Sequence, residues 1–184
     1  MELVSRLALL AVLQYISLFA WAEDASQRQL EHQIKAVFLY KFADYVEWPA
    51  SVFISTDTPF TIGIIGANEV AAELVALSNG NLVNNRTVNI KLLDASDSVD
   101  DLQILFIGKN EKKRLRKLLI TAQSKPILTV TESTGALSVG STINFIQVQD
   151  YIRFEISVAS AESQGIKISA RLLDVAQKIE GRRH

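Results

Sequence analysis

Few residues in this chain could carry catalysis, and their spacing does not assemble it. The 184 residues include two histidines, His32 and His184, and no cysteine. Without a thiol, neither a thiolate zinc cage nor a cysteine nucleophile can form. His32 reads as a surface residue of a helix. Asp94, Asp97, Asp100 and Asp101 crowd one short stretch, and grouped carboxylates suggest calcium. The alternating oxygen ligands and central glycine of a helix-loop-helix calcium site are missing, however, so the stretch reads as a solvated loop. Gly63 and Gly66 follow an apolar run and precede a helical pattern, without the full glycine-rich dinucleotide signature. They read as a tight strand-to-helix turn. A small anion or metabolite near Gly66 to Glu69 is the alternative, because open α/β sheets hold ligands at such places. No acid, base and nucleophile converge, so the expectation is a protein that is not an enzyme and uses no metal and no cofactor.

The charged residues offer binding chemistry instead. Lys112, Lys113, Arg114, Arg116 and Lys117 form a basic run punctuated by Leu115 and Leu118. It is either the wet side of an amphipathic helix or a surface facing anionic headgroups or an acidic partner. Arg153, Lys167 and Arg171 flank the junction between a hairpin and a helix. Converging there, they would make a pocket for an anion or a carboxylate, the ligand and metabolite site of this reading, since arginine's planar fork suits such groups. Arg153 can instead pair with Glu155 in a surface bridge worth little. Asn144 lies between apolar neighbours and, if buried, must hydrogen-bond through its amide, which suits fixing a backbone segment. The net charge of −1 and the 21% charged content give no basic footprint for nucleic acid. The 48% hydrophobic content argues against disorder and is ample for one core.

These residues need elements to hold them. Residues 1–22 read as a signal peptide, with Arg6 before the apolar run 7–19 and Ala20-Trp21-Ala22 in the small-x-small form, so cleavage is expected after Ala22 and the mature domain is 23–184. The run is short for a membrane span, and without cysteine no lipoprotein anchor can be attached. Residues 26–47 predict the longest helix, its apolar stripe formed by Leu30, Ile34, Val37, Phe38, Phe42, Tyr45 and Val46, and Trp48-Pro49 stops it. Phe38 and Trp48 are expected to be half exposed. Strands follow at 59–67, 86–93, 102–107 and 126–131, and helices at 69–77 and 111–122. Residues 143–148 and 152–158 predict an antiparallel hairpin across Gln149-Asp150-Tyr151, with Ile152, Phe154, Ile156 and Val158 facing inward. Past Gly165 a last helix begins at Ser169, an N-cap, with Leu172, Leu173, Ala176 and Ile179 at helical spacing. This succession predicts one three-layer α/β domain: a mostly parallel sheet, a C-terminal antiparallel hairpin, and helices on both faces.

The order of Ile143-Asn144-Phe145, the run 153–156 (RFEI), residues 165–176 (GIKISARLLDVA) and the upstream block 38–49 (FLYKFADYVEWP) resembles the YfiR family of periplasmic proteins. The resemblance covers nearly the whole mature chain. It implies a periplasmic, non-enzymatic regulator that represses the sensing domain of an inner-membrane signalling protein, either a diguanylate cyclase or a sensor histidine kinase, limiting cyclic-di-GMP output and biofilm formation. It also implies a homodimer and a small-metabolite ligand. The partner contact is expected at Phe38, Tyr45 and Trp48, the ligand at Arg153, Lys167 and Arg171, and structural roles at Asn144, Glu155, Gly165 and Ser169. The founding member looks disulfide-bearing, a departure that removes redox control of that kind here. A small-molecule binding module without a fixed protein partner is the second expectation.

Overall fold

The computed structural model describes residues 25–181. The expected signal peptide, its cleavage site and His184 lie outside the described residues. Helix α1 spans 25–45 and buries Ala36, Leu39, Tyr40 and Ala43, spaced three and four apart so that they share one face. It ends two residues before the expected stop. Val46–Glu47 (β1) pairs antiparallel with Lys167–Ile168 (β9), so a tertiary strand partner turns the chain out of the helix before Trp48-Pro49 can.

The main sheet has eight strands. Phe60–Ile65 (β2), Arg86–Leu92 (β4), Ile104–Ile107 (β5), Leu128–Thr131 (β6) and Ile143–Val148 (β7) run parallel in the order β4-β2-β5-β6-β7. Leu82–Val83 (β3) closes one side antiparallel to β4. On the other side, Tyr151–Ser157 (β8) returns antiparallel to β7, and Lys178–Glu180 (β10) adds parallel to β8. β2, β5 and β6 are buried along their whole length, as strands covered on both faces must be. The β7–β8 hairpin has Gln149-Asp150 as its two-residue turn, since Val148 already faces Tyr151.

Alternate residues of β5 enter two different cores. Ile104 and Phe106 pack with α1 and with Asn68–Ser78 (α2), whereas Leu105 and Ile107 pack with Leu115, Leu118 and Leu119 of Leu115–Ala122 (α3). Helices therefore cover both faces around β5. The second helical layer stops there, because β7 joins β8 through a tight turn with no crossover helix. The faces of β7 and β8 bearing Asn144 and Glu155 border an open cleft instead.

Beyond β8 the structure departs from the expected terminal helix. Val158–Ser163 forms α4, capped by the Ser157 hydroxyl accepting from the Ser160 N–H. Gly165, at φ +70, ends it. The Ile166 N–H bonds back to Ala161 and the Gly165 N–H to Glu162, the paired bonds of a left-handed helix stop. Ala170–Asp174 (α5) then covers only five residues, with the Ser169 hydroxyl accepting from the Leu172 N–H at its start. Ile179, expected on that helix, is the middle of β10. Pairing with β8 supplies the strand's backbone partners, a long-range gain that overrides local helical spacing.

Candidate functional site

The order β4-β2-β5 places the topological switch point between β2 and β5, where open sheets of this kind hold ligands beyond the carboxyl ends of the strands. Here that crevice is filled. The Gly108 N–H donates to the Ile65 carbonyl at 2.8 Å, and a Cβ added at Gly108 would stand 2.3 Å from the Gly66 carbonyl oxygen. The Glu111 side chain lies over Gly66, and its carboxylate is held by Arg114 at 2.8 Å. A negative group in that position leaves no room or charge for the anion that the Gly66 to Glu69 turn suggested.

Two other concavities are built by the long-range packing. Val37, Phe38, Lys41, Phe42 and Tyr45 of α1 face Phe154 of β8 and Arg171, Leu172 and Val175 of the α5 region across an apolar groove of about 320 Å³. Its floor is rigid. Phe38 and Phe42 pack edge-on against Phe154, with ring centroids 5.5 and 5.2 Å apart, and Phe42 stacks on Phe145 at 5.9 Å. The Ser169 N–H donates to the Tyr45 carbonyl at 2.9 Å, fixing α5 against the end of α1. Its rim is exposed: Val37 at 48% and Val175 at 65%. A neighbouring depression shares Val37 and Lys41 and continues the apolar strip to Leu82, which is 57% exposed.

The second concavity has a mixed polar and apolar lining, with a volume of about 530 Å³ between the loop after β6 and strands β7, β8 and β10. Its floor is set by Asn144, which is 1% exposed. The Asn144 Oδ1 accepts from the Thr131 hydroxyl at 2.8 Å and the Ser133 N–H at 3.0 Å, while Nδ2 donates to Glu155 Oε1 at 3.0 Å. Glu132, on the same rim, accepts the Lys109 N–H at 2.9 Å and pairs with Lys35. Lys35 is itself buried and also pairs with Glu31 one turn back. Burial alone would depress the Lys35 pKa, but the attraction of Glu132 and the hydrogen bonds to both carboxylates outweigh it and raise it above the ordinary lysine range. Burial likewise opposes the charge on Glu31, and the Lys35 bond outweighs it, holding the carboxyl below its usual range.

The sequence-derived residues divide between these places. Phe38 and Tyr45 line the apolar groove. Trp48 does not: its indole packs edge-on against Phe60 at 5.1 Å and its Nε1–H donates to the Gln103 carbonyl at 3.2 Å, which makes it an anchor for the strand ends. The three cations do not share one pocket. Arg171 borders the groove, Lys167 sits in the β1–β9 ribbon opposite Glu47, and Arg153 stands on the face of β8 away from Phe154, its guanidinium 5.5 Å from the Tyr151 ring. Strand alternation separates Arg153 from Arg171. Glu155 takes its hydrogen bond from Asn144, not from Arg153. Sequence reasoning missed Lys35 and Glu132, although a Glu and a Lys four apart on an otherwise apolar helix face was the available signal. It also placed Val37 in the core stripe, whereas packing leaves it on the groove rim.

Residues 32–177 match the YfiR/HmsC-like family. The chain belongs to that family. The matched span runs from within α1 to the residue before β10, so it takes in the groove, while Glu31 of the Lys35 cluster and Lys178 and Glu180 of the cleft lie outside it. A crystal structure of a conserved domain protein from Vibrio cholerae O1 biovar eltor str. N16961 aligns at a TM-score of 0.48 and 12% identity, covering 65% of this chain and 54% of that one.

Proposed function

We propose that this YfiR/HmsC-like protein is a periplasmic, non-enzymatic regulator. It binds the sensing domain of an inner-membrane diguanylate cyclase or sensor kinase and holds it in its inactive arrangement, limiting cyclic-di-GMP signalling and biofilm formation. Family membership supports the regulatory role, and the single observation that carries the contact is the apolar groove between α1 and α5. Its rigid aromatic floor and exposed valine rim suit an interface core, where apolar and aromatic area concentrates. Repression of this kind is a population shift: reversing a partner from almost wholly active to almost wholly inactive takes about a 10⁴-fold preference for the inactive form. Arg171 and Lys41 at the rim would orient acidic groups of the partner. The homodimer implied by the family resemblance belongs to this reading and is checked by sedimentation of the purified protein.

Among the described residues no helix is long and apolar enough to cross a membrane. The experiment is a complementation test in the cell. Deletion should raise cyclic-di-GMP or kinase output, and Val37→Asp/Val175→Asp should fail to restore repression while melting within about 0.5 kcal/mol of the parent, as exposed substitutions do. Unchanged output in the deletion strain removes this function. Phe38→Ala and Trp48→Ala are poorer probes, because both residues also hold the fold.

The cleft beside Asn144 favours a second reading, a small-molecule sensor without a fixed partner. Of its three carboxylates Glu132 pairs with Lys35 and Glu180 with Lys178, so Glu155, held by Asn144, is the one left to meet a ligand bearing an ammonium group. Thermal unfolding with a panel of amino acids and amines distinguishes the two: a true ligand at a hundred times its Kd stabilises by about 2.7 kcal/mol.

A further inference from the structure

The basic run of residues 112–117 takes no part in the groove or the cleft. Its cations fall into two groups. Arg114 is tied to Glu111, whereas Lys112, Lys113, Arg116 and Lys117 are all exposed and have no acidic partner among the described residues. Other lysines near this layer are engaged: Lys91 pairs with Asp101, and Lys125 pairs with Asp100 at 2.6 Å. Burial of Leu115, Leu118 and Leu119 against the sheet turns Arg116 and Lys117 of α3 to the opposite side, and Lys112 and Lys113 lie exposed in the turn just before the helix. Ile120 lies on that same outward side and is 59% exposed. The cluster is local rather than a by-product of a basic chain, whose net charge is −1.

We propose that Lys112, Lys113, Arg116 and Lys117 form a docking surface for an anionic phospholipid bilayer. Three of the four are lysines, strongly hydrated point charges suited to diffuse headgroup charge rather than to one fixed carboxylate geometry. They line none of the concavities described above, so no shaped recognition site accompanies them. Residues 109–125 contain no aromatic side chain on which nucleic-acid bases could stack. Ile120 adds an apolar contact at the interface. α3 covers the sheet face opposite α1, so a bilayer-docked molecule keeps the α1–α5 groove open to a partner.

Flotation of the protein with vesicles of phosphatidylcholine, or of phosphatidylcholine containing phosphatidylglycerol, tests this without any protein partner, so its outcome is independent of the proposed regulatory role. Phosphatidylcholine vesicles report charge-independent binding. Recruitment should rise with phosphatidylglycerol content and fall with salt. At about 1 kcal/mol per cation near such a surface, Lys113→Gln/Arg116→Gln/Lys117→Gln should weaken it roughly a hundredfold. Lys113→Arg/Lys117→Arg, which keeps the charge, should retain it. Failure to bind phosphatidylglycerol vesicles at low ionic strength, or undiminished binding by the triple variant, overturns the proposal. Retention on immobilised polyglutamate without vesicle binding overturns it in favour of an acidic protein.

Discussion

Lys35 is 4% exposed, and its ammonium is met by Glu31 from its own helix and by Glu132 from beyond β6. Removing one member of a buried ion cluster leaves the others uncompensated, so Lys35→Ala should cost about 3–5 kcal/mol in urea denaturation. Lys35→Met/Glu132→Leu, which removes both deeply buried charges, should recover most of that. The linkage signs are opposite for the two shifted groups. The Glu31 pKa is depressed from 4.5, so its contribution is present above that value and is lost as pH falls through the lower folded one. The Lys35 pKa is raised from 10.5, so its contribution is complete below that value and fades only as pH rises beyond it. Stability should therefore drop on acidification below about 4.5, and Glu31→Gln should flatten that drop. That Asn144, if buried, must hydrogen-bond through its amide was legible from its apolar neighbours. Its partners were not, because Thr131 and Ser133 lie in another strand and loop.

Between elements, stability rests on a few close approaches. Gly108→Ala would drive a Cβ into the Gly66 backbone at the ends of β2 and β5, where neither strand can yield, so unfolding should become easier by at least the 1–3 kcal/mol typical of overpacking. Gly165→Ala is the counterpart: nothing lies within 4 Å of its added Cβ, and the cost is the left-handed backbone alone, about 1–2 kcal/mol. Comparing the two in urea separates crowding from conformational strain. Phe42→Ala opens a cavity in the aromatic cluster beneath the groove and should cost about 3–5 kcal/mol. Hairpin, parallel strands and α1 were legible, since their periodicities are long and consistent. The short pieces β1, β3, β9 and β10 were not. Two or three residues carry no period, and their strand character comes from the neighbour they pair with.

At the scale of the molecule, opposite sheet faces present different surfaces: an apolar groove on the α1 side and, on the α3 side, cations without an acidic partner among the described residues. The groove valines and the cations of residues 112–117 should be separable, with Val37→Asp/Val175→Asp losing repression and Lys113→Gln/Arg116→Gln/Lys117→Gln losing lipid recruitment, each leaving the other readout intact. By itself, the sequence determined the class of fold, the apolar runs of the central strands and the cap at Ser169, because each depends on residues within one turn or one strand; α4 and its stop at Gly165 were not foreseen. It also carried the family, through blocks that need no folding to be compared. Only tertiary structure decided that the cations of residues 153–171 scatter, that Trp48 is an anchor, that the switch point is closed by Gly108 and Glu111, and that Lys35 is buried with two carboxylates. Those outcomes depend on which strand lies beside which, and groups distant along the chain meet only when the sheet order brings them within a few ångströms.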